Sequence, residues 1–207
     1  MIRLYEYPPS SNCQKVRLVL AEKGLSYESV IIDLRKKEQT APEYLRINPY
    51  GLVPAMDDDG VVIYESTIIN EFLEEKYPQV PVFPQDPAAR AKARILEDFR
   101  DNHLYPALKT ISRLTRGVDK EDWDHTLIAA AFESMASIFE RLEEELDGKD
   151  FLAGEYSIAD IAFTPNLSRL VDMGVDLPDR FPRLKAWIDR MMKRPNHRSI
   201  AEYGSRH

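Results

Sequence analysis

The hydrophobic pattern changes period several times in the first eighty residues. Ile2-Arg3-Leu4-Tyr5-Glu6 alternates as a short strand, and the next segment places Val16, Val19 and Leu20 on one helical face before Gly24 supplies a stop. Tyr27 to Ile32 reads as a second strand, and the helical crossover makes it parallel to the first. Asp33 to Asn48 is polar and weakly helical, with Pro42 suited to a first helical turn around Glu43 to Ile47. Ala55 to Met56 and Val61 to Ile63 flank Asp57-Asp58-Asp59-Gly60, a hairpin turn with Gly where positive φ is needed. Glu65 to Tyr77 closes the module as a helix. The order β-α-β-α-β-β-α predicts a small α/β domain over residues 1–78 with a mixed four-stranded sheet.

Pro78, Pro81, Pro84 and Pro87 exclude regular helix and mark a linker over 79–87. Beyond it the period becomes helical throughout. Ala88 to Arg116 carries Ile95, Phe99 and Leu108, and Lys120 to Leu146 carries Leu127, Phe132, Met135, Ile138, Phe139, Leu142 and Leu146. Shorter helices follow at Ile158 to Met173 and Arg183 to Met192, so residues 88–207 are expected to form an all-α domain.

Composition narrows the function. The net charge of −7 is spread evenly, with 9 basic and 13 acidic side chains in residues 1–80 and 19 and 22 in the rest. Neither part is a basic arm, which argues against nucleic-acid binding. The nearest basic cluster, Lys193, Arg194, His197, Arg198 and Arg206, is short and reads as a solvated helix end. No apolar run approaches the roughly 18 residues that span a bilayer, and no signal-peptide pattern opens the chain, so a reducing cytoplasm is the expected location. One cysteine, Cys13, excludes an intrachain disulfide, and four scattered histidines give no metal-ligand cluster.

Two constellations carry candidate chemistry. Gly51-Leu52-Val53-Pro54 leads into the hairpin, and Glu65, Ser66 and Thr67 open the helix after it. Unpaired N–H groups and a partial positive charge at that helix start let Ser66 hold a carboxylate, while Glu65 meets an ammonium group. The pair suits an amino-acid head group; the plainer alternative is that Ser66 or Thr67 only caps the helix. In the turn after the first strand, Ser10 and Ser11 precede a helix and can donate to an anion such as a thiolate, or simply cap. Cys13, a turn further on, is either a nucleophile of lowered pKa or a small buried hydrophobe. No Ser-His-Asp or Cys-His arrangement can be assembled, since His103, His125, His197 and His207 all lie in the helical part.

Ser157-Ile158-Ala159-Asp160 fits a capping box, and both polar residues are assigned to folding at a worth of about 1 kcal/mol or a little more. Tyr156 against Ile161 adds a hydrophobic staple to that reading.

Ser10-Ser11-Asn12-Cys13-Gln14-Lys15-Val16-Arg17-Leu18, Glu22-Lys23-Gly24, Asn48-Pro49, Val53-Pro54, Glu65-Ser66 and Ser157-Ile158-Ala159-Asp160 together resemble, in order and spacing, the cytosolic glutathione S-transferase superfamily. The similarity is to its serine-type, theta-like and zeta-like classes. The resemblance implies a thioredoxin-like N-terminal domain, an all-α C-terminal domain, a homodimer, and glutathione as co-substrate with no metal. It implies that Ser10, or Ser11 beside it, stabilises the glutathione thiolate. Val53 then pairs through its backbone with the cysteinyl part, Pro54 is a cis-proline, and Glu65 and Ser66 clamp the γ-glutamyl group. Gln39 holds the glycyl carboxylate, and Ser157 and Asp160 form the family's capping box.

The implied reaction is attack of glutathione thiolate on a small hydrophobic electrophile, with Asn102, Tyr105, Leu108 and Ile111 of the first long helix as wall residues. Two rivals stand beside it. Val16 to Gly24 and Asn48-Pro49-Tyr50 also resemble the stringent starvation protein type, a non-enzymatic fold relative associated with RNA polymerase. The other is a thiol transferase working through Cys13.

Overall fold

Strand β1 (Ile2–Glu6) lies at the centre of a four-stranded sheet of order β2-β1-β3-β4, where β2 is Tyr27–Ile31, β3 is Ala55–Asp58 and β4 is Val61–Tyr64. The computed structural model describes residues 1–115, 118–175 and 177–201; Arg116, Arg206 and His207 lie outside the described residues. Strands β1 and β2 are parallel, as the intervening helix α1 (Ser11–Glu22) requires. Strand β3 runs antiparallel to both β1 and β4, so the sheet is mixed. The β3–β4 turn is tighter than the sequence pattern indicates. Asp58 still pairs with Val61, and only Asp59 and Gly60, at φ 53° and 90°, make the reversal. Two successive positive φ values are the signature of a type I′ hairpin, which Asp-Gly adopts at low cost.

The chain divides into two compact units, Met1–Phe83 with Met192–His207, and Pro84–Met191. In the first unit, α1 packs on α3 (Ser66–Lys76), burying Val16, Val19, Leu20, Ile69 and Leu73. Each such side chain stabilises by about 1.5–3 kcal/mol relative to exposure. Tyr5 and Tyr64 point to the other side of the sheet. There Ile32, Tyr44 and Ala55 form a second cluster with Leu34, Ile47 and Val53, roofed by two 3-10 turns and the short helix α2 (Pro42–Leu45). At the end of α1, Gly24 at φ 65° lets Leu25 N–H reach the Leu20 carbonyl, which closes the helix.

The C-terminal segment departs from the expected 88–207 division. A 3-10 turn (Pro195–His197) and helix α10 (Arg198–Ala201) pack on α1, with His197 and Ile200 buried and Arg194 donating to both carboxylate oxygens of Glu22 at 3.1 and 3.2 Å.

The second unit is all-helical. Helix α4 (Pro87–Phe99) starts at Pro87 under an Asp86 cap, runs into a π-helical turn over Arg100–Leu104 and continues as α5 (Tyr105–Thr115). Pro106 accounts for the π turn: its ring has no N–H and crowds the preceding carbonyls, so the helix widens there. The stretch expected to be one helix from Lys120 to Leu146 is interrupted twice. Asp124 caps α6 (His125–Ser134), and Met135, at φ −100° and ψ 3°, separates it from α7 (Ala136–Glu145). Ser134 Oγ donates back to the Ala131 carbonyl at 2.7 Å, a bond that competes with the helix ladder just before the break. Ile95 and Leu127, expected on buried faces, are 53% and 50% exposed, while Phe132, Met135, Phe139, Leu142 and Leu146 are buried. Helix α8 (Ile158–Asp172) is buried on almost every side, and α9 (Pro182–Met192) adds Leu184, Trp187 and Ile188 to the same core.

Candidate functional site

The sheet register collects the predicted residues of the first unit at one end. Tyr5 pairs with Ala55, which pairs in turn with Tyr64, and Tyr5 also lies beside Val30 of the parallel strand. The loop carrying Ser10 leaves just after Tyr5, Val53-Pro54 enters just before Ala55, and Glu65-Ser66 follows Tyr64. The segment leading to Gln39 leaves the same end after β2.

Ser10 is the N-cap of α1. Its Oγ accepts from Cys13 N–H at 3.4 Å, and its own N–H donates to the Tyr7 carbonyl at 2.8 Å. Capping and thiolate stabilisation do not compete here, because a hydroxyl that accepts one bond still has its O–H to donate. Ser10 is half-buried, whereas Ser11, in the first helical turn, is buried. Cys13 is fully buried. Loss of solvation pushes its thiol up to about 12, and hydrogen bonds with the Ser10 side chain and the Tyr7 backbone offset that only in part. A thiol in that state is a packing residue rather than a nucleophile.

Ser10, Asp86, Asp124 and Ser157 each place a side-chain oxygen on the first turn of their helices, but Glu65, the N-cap of α3, makes no such bond, as is also true of Met135 where α7 follows α6. Thr67 is not the cap either, since its Oγ1 accepts from the buried Lys15 Nζ at 3.0 Å. Ser66, 6% exposed, has no partner for its hydroxyl among the described residues. The Ser66 hydroxyl and the partial positive charge of this helix start therefore lie together, an arrangement chemically suited to an anion. Glu65 is held at φ 71° and ψ 117°, a conformation that costs an L-residue of order 1–3 kcal/mol and recurs at ligand-holding positions.

Val53 is half-buried and precedes Pro54 through a cis peptide bond. The preceding carbonyl, of Leu52, accepts from both Tyr44 Oη at 2.6 Å and Asn48 Nδ2 at 2.8 Å. These two bonds orient the loop, and among the described residues neither backbone polar group of Val53 is itself engaged. Gly51, at φ 61°, allows Gln39 to approach: a Cβ there would stand 3.1 Å from the Gln39 carbonyl oxygen. Gln39 Oε1 is buried with no partner, which leaves that amide available to a bound group.

In the second unit, Asn102 is exposed and donates to Asp98 at 2.8 Å, and Tyr105 is half-buried beneath the Arg100 guanidinium. Leu108 and Ile111 are buried, so only Asn102 and Tyr105 of the four expected wall residues are open to contact. Ser157 and Asp160 form the capping box. Asp160 Oδ2 accepts from Ser157 N–H at 3.0 Å, and its Oδ1 also accepts from Leu152 N–H at 3.0 Å and Trp187 Nε1 at 2.8 Å.

Residues 4–81 match the family described as "Glutathione S-transferase, N-terminal domain", and residues 76–195 match "Glutathione S-transferase, C-terminal domain". The chain belongs to the cytosolic glutathione S-transferase superfamily. A stringent starvation protein A homolog of Pasteurella multocida (strain Pm70) is 31% identical over 186 residues, spanning 88% of this chain and 81% of that protein. Glutathione S-transferase D7 of Drosophila melanogaster is 32% identical over 197 residues, spanning 92% and 84%. The crystal structure of the theta class glutathione S-transferase from the citrus canker pathogen Xanthomonas axonopodis pv. citri, with glutathione bound, superposes with a TM-score of 0.85 at 26% identity over 97% of each chain. The N-terminal unit has the thioredoxin-like fold of this superfamily.

Four residues that shape this end of the sheet were given no individual role from sequence, although Lys15, Arg17 and Asn48 lie in the segments that resemble the superfamily. Tyr44 and Asn48 hold the Leu52 carbonyl, and Lys15 ties α1 to the first turn of α3. Arg17, buried, donates to the Pro8 carbonyl at 2.8 Å and lies 3.4 Å from the buried Glu6 carboxylate, fixing the loop that carries Ser10. The available signal was two cations, Lys15 and Arg17, either side of Val16 on the way into the apolar run Leu18-Val19-Leu20.

Proposed function

We propose that this chain binds glutathione at the sheet end where Ser10, Gln39, Val53, Pro54, Glu65 and Ser66 meet, and transfers its thiolate to a small hydrophobic electrophile. The observation that carries the reading is the start of α3, where Glu65 makes no side-chain cap and the Ser66 hydroxyl has no partner among the described residues, so a carboxylate can be held there beside the carboxylate of Glu65. An amino-acid head group matches both charges. Ser10 then donates its O–H to the glutathione sulfur. It favours the thiolate by stabilising the charged form, assisted by the N-terminus of α1. Ser10 serves better than Ser11 because Ser10 is the less buried of the two. Asn102 and Tyr105 are the proposed electrophile contacts, with Leu108 behind them.

A homodimer belongs to the same reading. Tyr50, Leu52, Val62 and Ile68 are large apolar side chains left exposed on the first unit, with the Tyr50 ring edge-on to Tyr64 at 5.3 Å. A second copy would cover them. The proposed setting is a reducing cytoplasm, with detoxification as the role.

The test is retention on immobilised glutathione. The chain is expected to be retained and eluted by free glutathione, and Ser66→Ala to be lost from the resin with an unchanged far-UV spectrum. Failure of the parent chain to bind overturns the proposal. It would favour the second reading, a non-enzymatic partner of RNA polymerase, which the likeness to the Pasteurella multocida protein supports.

A further inference from the structure

The second unit contains a cavity of about 460 Å³ that none of Asn102, Tyr105 and Leu108 lines. Its apolar wall is made by Trp123, Ile128, Phe132 and Val175, from the turn before α6, from α6 itself and from the segment after α8. That volume falls in the range of small-molecule sites, and two aromatic rings in the lining favour a flat ligand. Charge at the cavity is one-sided. The carboxylate in its lining, Glu133, is engaged by Arg180 at 3.1 Å. Lys120 brings an ammonium group 5.9 Å from the Trp123 ring centre, and among the described residues no carboxylate stands within ion-pair distance of it. Gly174, which has no Cβ, lies directly against the Lys120 ammonium group.

We infer that this cavity is a binding site for a small aromatic carboxylate, with the ring between Trp123 and Phe132 and the carboxylate on Lys120. The site lies outside the proposed glutathione machinery and is independent of it. Binding of naphthalene-2-carboxylate to the full chain, followed by quenching of tryptophan fluorescence, tests it. Lys120→Met is expected to weaken that binding about fivefold, the scale of a partly exposed charge pair. The neutral analogue 2-naphthalenemethanol should bind about as weakly to the parent as the carboxylate does to the variant. An excess of S-methylglutathione should leave the carboxylate's affinity unchanged. Lys120 is exposed, so its replacement leaves the fold intact. The inference is overturned by any of three results: no binding, equal affinity of parent and Lys120→Met, or displacement by S-methylglutathione.

Discussion

Replacing Asp160 by Asn separates two opposing effects at one buried carboxylate. In the folded chain burial raises the Asp160 pKa to about 6 from the ordinary 3.8, although three N–H groups donate to it and pull the other way. Desolvation is the largest cause, and hydrogen bonds are the largest opposing ones. A raised carboxyl pKa means that the folded state holds its proton over a range where the unfolded chain has released it. The stability tied to this group is therefore complete below the unfolded value and lost as pH rises through the folded one. The difference of about two pKa units corresponds to about 3 kcal/mol, of which about 2 kcal/mol falls between about pH 4.5 and about pH 7.5. Asn cannot ionise, and it keeps one acceptor oxygen for Leu152 and Trp187 while turning an NH2 toward Ser157 N–H. One unsatisfied buried donor costs about 1–3 kcal/mol at either pH. Urea denaturation of parent and variant at both pH values gives the measurement, and titrations common to the two proteins cancel in the comparison. The parent's advantage is expected to shrink by about 2 kcal/mol at the higher pH. An advantage that is constant or grows with pH would refute the reasoning, because it would mean that three N–H donors fully replace water around this carboxylate.

Three further outcomes follow from the first unit. Cys13 should resist a thiol reagent at neutral pH until the chain is unfolded, since burial pushes it up to about 12, and Cys13→Ala should leave glutathione turnover intact. Glu65→Gly should raise stability in urea by about 1 kcal/mol by relieving the positive φ, less the entropy that Gly gains when unfolded, while retention on glutathione falls. Arg17→Met should cost about 3 kcal/mol or more, because it leaves the buried Glu6 carboxylate without its cation and with only the Ser29 hydroxyl on it. Arg17→Met with Glu6→Gln should recover part of that loss in the same denaturation assay.

Local chemistry explains which parts of this protein were legible beforehand. Asp57 to Gly60 demands a chain reversal, though not its two-residue tightness, Ser157 and Asp160 demand a helix start, and a strand-helix-strand order demands a parallel pair; each is decided within a few residues. The interruption at Met135 was hidden because the apolar period continues through it, and only the Ser134 back-bond disturbs the ladder. Lys15 and Arg17 were hidden for the opposite reason. Their partners, Thr67 and Glu6, lie in other elements, so nothing adjacent in sequence shows that these cations are buried. At the site, the residue types pointed to an anion at Ser66, but the absence of a side-chain cap there could be read only from coordinates.

The return of residues 192–201 to α1 has a consequence for the order of synthesis. The first unit is written in two parts of the gene, and its second part emerges from the ribosome only after the whole helical unit has been made. Until then the sheet and its helices can assemble, but the patch of α1 destined for His197 and Ile200 stays wet and Glu22 lacks Arg194. Maturation of the N-terminal unit is in this sense a late event in synthesis, completed only once the helical unit has been made.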